Sequence, residues 1–370
     1  MATVPIPLFD TSSQLAEIRS EVDQRIGAVL DSGRFILGPE LEAFERELAE
    51  FLGVDHVVGV ANGTDALTIA LRALGVGPGD DVVVPSFTFY ATAEAVVNLG
   101  ARPVFCDVDP DTFCVTAEIV ERALTGQTRA VVPVHLFGTP APMEDLRKLA
   151  TARGVKLLED AAQAAGARAG GRRVGALGDA AAFSFFPSKN LFCLGDGGAV
   201  ATSDGALAER ARLLRLHGST DKRRYLEAGY NSRLDALQAA VLRLVLTRLD
   251  GWNAARRELV GAYADAGLGE LVLLPQVPAA YEPVHHMYVV RSSSRDDLLE
   301  ALGDAGIEGR ACYPTPVHRQ PAMQAFARDA DLPGTEIAAA SSLALPMGPS
   351  HGPEVARYVV EALHQSLNSP

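Results

Sequence analysis

Short apolar runs rich in β-branched residues alternate, from residue 56 to residue 217, with longer stretches in which apolar positions recur every three or four residues. The runs His56–Ala61, Val82–Pro85, Pro103–Asp107, Arg129–His135, Val155–Asp160, Ala180–Phe185 and Ala199–Thr202 predict strands. Several are apolar on both alternating faces, the pattern of parallel strands covered on both sides. Between them, Thr64–Leu74, Thr88–Leu99, Thr116–Leu124, Met143–Arg153 and Leu207–His217 carry helical periodicity and capping residues. This alternation predicts an α/β fold built on an open, mostly parallel central sheet covered by helices. The texture then changes. A long helical pattern runs from Ser232 to about Val260, followed by Leu271–Leu274 and His286–Arg291 as strands, a helix near Asp296–Ala305 and a Pro-rich stretch around Tyr313–Pro321. The expected organisation is a large domain over residues 1–250, including the N-terminal segment, and a smaller α+β domain over 251–370.

Composition narrows the class. At 370 residues the chain exceeds one compact core, so two lobes are expected. With 48% hydrophobic residues it is not broadly disordered, and no apolar run approaches the ~18 residues of a membrane helix. The start, MATVPIPLFD, lacks the basic and apolar regions of a signal peptide, and a cytoplasmic location is expected. The 33 Lys+Arg against 46 Asp+Glu give a net charge of −13, which disfavours nucleic acid as a partner but not a small anion held by backbone N–H groups. The four cysteines form no C-x-x-C pair and no zinc spacing, so no metal site is expected.

Two cofactor motifs fail. There is no Walker sequence, and GVGPGD at Gly75–Asp80 ends a helix and precedes a strand, the reverse of a dinucleotide fingerprint. Asn62-Gly63-Thr64-Asp65 has the right order: it follows a strand and opens a helix, where N–H groups and the Thr64 hydroxyl suit a phosphate, although the same residues also suit a plain turn and cap. LLEDAAQAAG places Glu159 and Asp160 at the carboxyl end of an apolar strand, where open α/β sheets bind ligands. A carboxylate there needs a cation or solvent; the protonated ring nitrogen of pyridoxal phosphate is such a cation, and Gln163, one turn later, is spaced to reach the ring hydroxyl. A helix cap is the other reading of Asp160. AFSFFPSKNLFCLGDGGAV ends a strand and exposes Lys189, which at a sheet edge is placed for a Schiff base with an aldehyde cofactor, a solvent-exposed loop lysine being the other reading. One strand separates it from Asp160, and Ser184 on that strand can meet the phosphate that Thr64 faces.

The motifs NGTDAL, PSFTFYATAEAV, LEDAAQAAG, FSFFPSKN, GDGGA, GYNSRLDALQAA and YPTPVHRQPAM occur in the order seen in the DegT/DnrJ/EryC1/StrS family, and the chain resembles these sugar aminotransferases from about Pro5 to its end. The resemblance implies the aspartate aminotransferase fold (PLP fold type I), pyridoxal 5'-phosphate as cofactor, and a homodimer with shared active sites. It implies that Lys189 is the Schiff-base lysine and proton shuttle, that Asp160 holds the pyridine nitrogen and Gln163 the ring oxygen, and that Phe89 stacks on the ring. Gly63, Thr64 and Ser184 would bind the phosphate, and Asn231 would complete the cup from the neighbouring subunit. The implied reaction takes an amino group from an amino acid, L-glutamate, to a nucleotide-linked keto-6-deoxysugar in amino-sugar biosynthesis. A keto-cyclitol acceptor and a catalytically silent regulator are the alternatives. Lys222, Arg223 and Arg224, with Arg310 and Arg319, are the cations available for a diphosphate; His217, Tyr313 and His318 are candidates to face the sugar, and His135 and His286 are expected to be structural. Phe192 stands where many relatives have Gly and is expected to narrow the sugar pocket or pack at an interface.

Overall fold

The computed structural model describes residues 6–327 and 330–368. Two helices that the pattern did not single out, α1 (Thr11–Ser32) and α2 (Pro39–Leu52), precede the first strand. α1 buries only a thin stripe, Gln14, Ile18, Val22 and Val29. Alternating strands and helices follow: β1 (His56–Val60), α3 (Gly63–Ala73), β2 (Asp81–Pro85), α4 (Ala91–Asn98), β3 (Arg102–Cys106), α5 (Ala117–Ala123), β4 (Thr128–Val131), α6 (Met143–Arg153) and β5 (Lys156–Asp160). After the two-residue strands β6 (Arg168–Ala169) and β7 (Arg172–Arg173) come β8 (Ala180–Ser184), β9 (Gly198–Thr202) and α7 (Gly205–Arg215).

All seven expected strands join one sheet, in the order β1-β9-β8-β5-β4-β2-β3. The pairs from β8 to β3 are parallel, whereas β9 runs antiparallel to both its neighbours. A reversed strand is possible there because a turn, not a crossover helix, joins β8 to β9. Side chains alternate between two helix layers. Val57, Val83, Val131, Leu157 and Phe183 face one core, to which α2, α5, α6 and α8 (Ala236–Asp265) contribute. Val58, Val82, Val84, Leu158 and Ala182 face the core under α3, α4 and α7.

α8 runs through residue 250 without a break. Its first half packs Val241, Leu242, Val245 and Leu249 on the large core, and its second half packs Leu259 and Tyr263 on a third core. That third core lies under an antiparallel sheet, β11-β13-β12, formed by β11 (Tyr288–Arg291), β12 (Arg310–Ala311) and β13 (Ser342–Leu345). α9 (Arg295–Asp304), α10 (Pro333–Ser341) and α11 (Pro353–Asn368) complete the region, and β10 (Tyr281–Glu282) pairs with β6. Ile6 bridges Ile307, so the N-terminal segment reaches the smaller sheet region. The expected strand Leu271–Leu274 does not form: Leu273 makes a single bridge to Arg291, and Pro275, which has no N–H to donate, follows directly. None of the described helices is long and apolar enough to cross a membrane.

Candidate active site

The carboxyl ends of β1, β2, β5 and β8 open on one cavity of about 730 Å³, the edge at which open α/β sheets hold ligands. Gly63, Thr64, Phe89, Asp160, Gln163, Ser184, Lys189 and Tyr313 all line it. Strand alternation turns Asp160 to the α3–α4 side. There its Oδ2 accepts from Thr92 Oγ1 at 2.8 Å and its Oδ1 from the Ala162 N–H at 3.2 Å. Burial is the larger influence and pushes the Asp160 carboxyl above its ordinary value, only partly offset by these bonds and the charge of Lys189. Such a carboxylate is poised for a further cation.

Lys189 follows β8 on a turn closed by its N–H to the Phe186 carbonyl at 2.8 Å. Its side chain is half-buried along the cavity wall. Desolvation brings the ammonium down to about 8, with Asp160 opposing the shift, so a neutral amine is accessible near neutral pH. The next residue anchors the turn: Asn190 Nδ2 donates to Asn253 Oδ1 at 2.8 Å on α8 and to the Val284 carbonyl at 2.9 Å.

Gln163 is held from both ends, accepting the Phe137 N–H at 2.7 Å and donating to the Tyr313 hydroxyl at 3.1 Å. Its second amide hydrogen is left for a ligand oxygen. Asn62 caps α3 through the Asp65 N–H at 2.8 Å, and the N–H groups of Gly63 and Thr64 have no carbonyl behind them in the helix. β8 approaches so closely that a Cβ on Gly63 would meet Ser184 Cβ at 2.7 Å, which brings the Ser184 hydroxyl beside the helix start. Phe89 is 60% exposed toward the opening. A nucleophilic amine, a buried carboxylate short of a cation, and a helix start with two hydroxyls together fit an anionic aldehyde cofactor with a protonatable ring nitrogen.

Other candidates lie elsewhere. Asn231 is exposed and does not line the cavity, and its Oδ1 is bonded by Arg233. His217 and Lys222–Arg224 are also exposed outside the cavity, the first with φ of 61°. His318 is corrected to a packed residue: its Nδ1 lies 2.6 Å from Ser86 Oγ and its Nε2 faces Glu336. Arg319 pairs with Glu336 at 2.8 Å and does not line the cavity, whereas Arg310 does. Phe192 does not narrow the pocket; it is buried in the core and stacks on Trp252. His135 is structural, as expected: its Nδ1 accepts the Ala141 N–H, so Nε2 donates to Glu159. His286, expected to be structural, lines the cavity with Phe9. Thr92, Phe9 and His286 had no local signal, because their roles depend on partners far away in sequence.

The model of the DegT/DnrJ/EryC1/StrS aminotransferase family matches residues 16–364. The chain is 47% identical over 366 residues (98% of this chain, 96% of the relative) to the dTDP-3-amino-3,4,6-trideoxy-alpha-D-glucose transaminase of Streptomyces venezuelae. It is 44% identical over 363 residues, 98% of each chain, to the UDP-N-acetyl-3-dehydro-alpha-D-glucosamine 3-aminotransferase of Acidithiobacillus ferrooxidans. DesV of S. venezuelae, solved in complex with a ketimine intermediate, matches with a TM-score of 0.96 at 46% identity, covering 100% of both chains. The chain thus belongs to the DegT/DnrJ/EryC1/StrS family and is a pyridoxal phosphate-dependent aminotransferase.

Proposed function

We propose that this enzyme moves the amino group of an amino acid, L-glutamate, to the keto carbon of a nucleotide-linked keto-6-deoxysugar in amino-sugar biosynthesis, working as a cytoplasmic homodimer. The observation that carries the reading is the meeting of Lys189 and Asp160 in one cavity from neighbouring strand ends. The two nucleotide-sugar transaminases matched over nearly the whole chain support the acceptor class.

Bound pyridoxal phosphate supplies an aldehyde carbon that exchanges with the amine and a ring that stabilises the carbanion left when the donor Cα loses its proton. The chain supplies the rest. Lys189 Nζ, neutral above about pH 8, would take the Cα proton and return it to the former aldehyde carbon on the other side of the transferring nitrogen, and would do the reverse with the keto-sugar. Asp160 keeps the ring nitrogen protonated, Gln163 orients the ring oxygen and Phe89 packs on the ring face. Gly63, Thr64 and Ser184 receive the phosphate. Asn231 reaches the phosphate of the neighbouring subunit's site, and Lys222–Arg224 stand near the diphosphate across the same boundary. Exposed Phe35, Ile36, Phe186 and Leu194 support a contact between subunits.

Reduction of the holoenzyme with borohydride followed by peptide mapping tests the assignment. The cofactor should be fixed on the peptide carrying Lys189, and Lys189→Ala should abolish the trapped product. A trapped adduct on another lysine contradicts it. A panel of keto-sugar nucleotides and keto-cyclitols, each with glutamate, decides the acceptor.

A further inference from the structure

Arg310 is the one arginine among the described residues that line the cavity, and among the described residues it has no carboxylate within ion-pair distance. Its guanidinium lies over the ring of Phe9, 5.9 Å from the centroid. Phe9 in turn stacks on the His286 ring at 5.6 Å and 22°. His286 is buried, and its Nδ1 has no hydrogen-bond partner among the described residues. Burial first, then the charges of Lys189 and Arg256, hold this imidazole well below its ordinary value, so it is neutral. One wall of the cavity therefore carries an unpaired cation and unfilled hydrogen-bonding capacity, and the amine of Lys189 is close enough for its charge to act on that wall.

We propose that Arg310, held against Phe9 and His286, binds the α-carboxylate of the amino-acid donor. The inference rests on the aminotransferase reading above. Any amino-acid donor brings an anion one bond from the carbon that Lys189 must deprotonate. The other charged residues on the cavity wall are Asp65, Asp160, Asp196 and Lys189; three repel a carboxylate, and the fourth must keep its nitrogen free for chemistry. With the Lys222–Arg224 cations of the neighbouring subunit assigned above to the sugar diphosphate, Arg310 is the cation of this chain's own wall left for the carboxylate, and its planar fork binds one through two parallel N–H bonds. Phe9 lies beside that fork, a cation–π contact that lessens the rotamer freedom the exposed arginine side chain would lose on binding. Neutral His286 adds a hydrogen-bonding group without competing for the charge. A sugar diphosphate is a poorer match, because the hexose ring separates it from the reacting carbon, whereas the α-carboxylate is attached directly to it. Arg310 also precedes Tyr313 by one short segment of wall, and the Tyr313 hydroxyl already receives the Gln163 amide beside the ring site.

The test compares wild-type holoenzyme with Arg310→Ala and Arg310→Lys on three amines: glutamate, 4-aminobutyrate (glutamate without its α-carboxylate) and 2-aminobutyrate (no distal carboxylate). Conversion of the bound cofactor is followed spectroscopically in single turnover, and 2-methylglutamate, which has no Cα proton to lose, gives binding alone. Arg310→Ala should weaken glutamate, 2-aminobutyrate and 2-methylglutamate on the order of 50-fold, the loss expected for a charge-assisted pair, and leave the weak reaction of 4-aminobutyrate unchanged. Arg310→Lys should recover part of this. An equal effect on all three amines would overturn the proposal, as would a loss confined to the keto-sugar nucleotide with glutamate untouched. If the wild type takes an amino group from none of the amines, the aminotransferase reading fails instead; if it does and Arg310→Ala treats the three amines just as the wild type does, only the role of Arg310 fails.

Discussion

The two carboxylates that end β5 are adjacent in sequence and buried, yet they face opposite helix layers and meet opposite surroundings. Glu159 points into the core on the α6 side. It accepts from His135 Nε2 at 3.0 Å and from the N–H groups of Gly175, Leu177 and Gly178 at 2.9, 2.7 and 2.6 Å. Burial opposes its ionisation, but the His135 hydrogen bond and the backbone donors outweigh it and hold the carboxyl below its ordinary value. Asp160 has the Thr92 hydroxyl and one N–H, and burial wins. A saturated anion is scaffold, while an under-compensated one at a cavity is held for a ligand. The same strand thus braces the fold on one face and serves chemistry on the other.

The largest expected effect breaks this contrast at Asp160. Asp160→Asn keeps the shape and the Thr92 contact but removes the charge facing the ring nitrogen, so kcat/KM should fall on the order of 10³-fold. Because the carboxyl is raised, neutralising it removes a folding penalty, and the cofactor-free variant should melt no lower than wild type. A stability loss without an activity loss would reverse the assignment.

Glu159→Gln should do the opposite. An amide cannot accept from all four donors and presents N–H to N–H, so about 3 kcal/mol of stability should be lost in denaturant unfolding, with cofactor chemistry little changed in the folded fraction. The sign of its pH dependence follows from the lowered value. Wild-type Glu159 contributes fully above its ordinary 4.5 and loses that contribution as pH falls through its folded value. Asp160 runs the other way, since its penalty is relieved as pH falls through its raised value. The variants should accordingly change the acid limb of a stability–pH curve in opposite senses.

A smaller effect is expected at Gly63→Ala. The added carbon must displace Ser184, so cofactor affinity should fall about 10-fold in an equilibrium titration while the fold persists. Smallest is the pH profile of cofactor capture by the apo-enzyme. The capture rate should rise with pH to a plateau, with a midpoint near the Lys189 value of about 8. By the same shift, Lys189 makes the apo-protein gain stability as pH rises from about 8 toward 10.5, where the unfolded chain holds more protons.

Much of this was legible in the sequence. Apolar runs identified all seven strands of the main sheet, but a run of side chains does not record strand direction, so the reversal of β9 was not visible. α1 was hard to see because its buried stripe is sparse and gains meaning only against α8. Within the site, Gly63, Thr64, Asp160, Ser184 and Lys189 stood out because each sits at a strand end or helix start with its own local motif. Thr92 and Phe9 had no such mark: one matters through a hydrogen bond to Asp160, the other through His286, which lies far along the chain. His318 and Phe192 misled for the converse reason, since motif position cannot tell an inward-packed ring from one facing a cavity.

The central claim is that nitrogen passes from an amino acid, through this cavity, to a keto-sugar. Incubating the holoenzyme with ¹⁵N-glutamate and a dTDP- or UDP-linked keto-sugar, then weighing the sugar product by mass spectrometry, tests it most directly. The account predicts one ¹⁵N per amino-sugar formed in wild type and none with Lys189→Ala. Amino-sugar formed without the label, or label transferred equally well without Lys189, would contradict it.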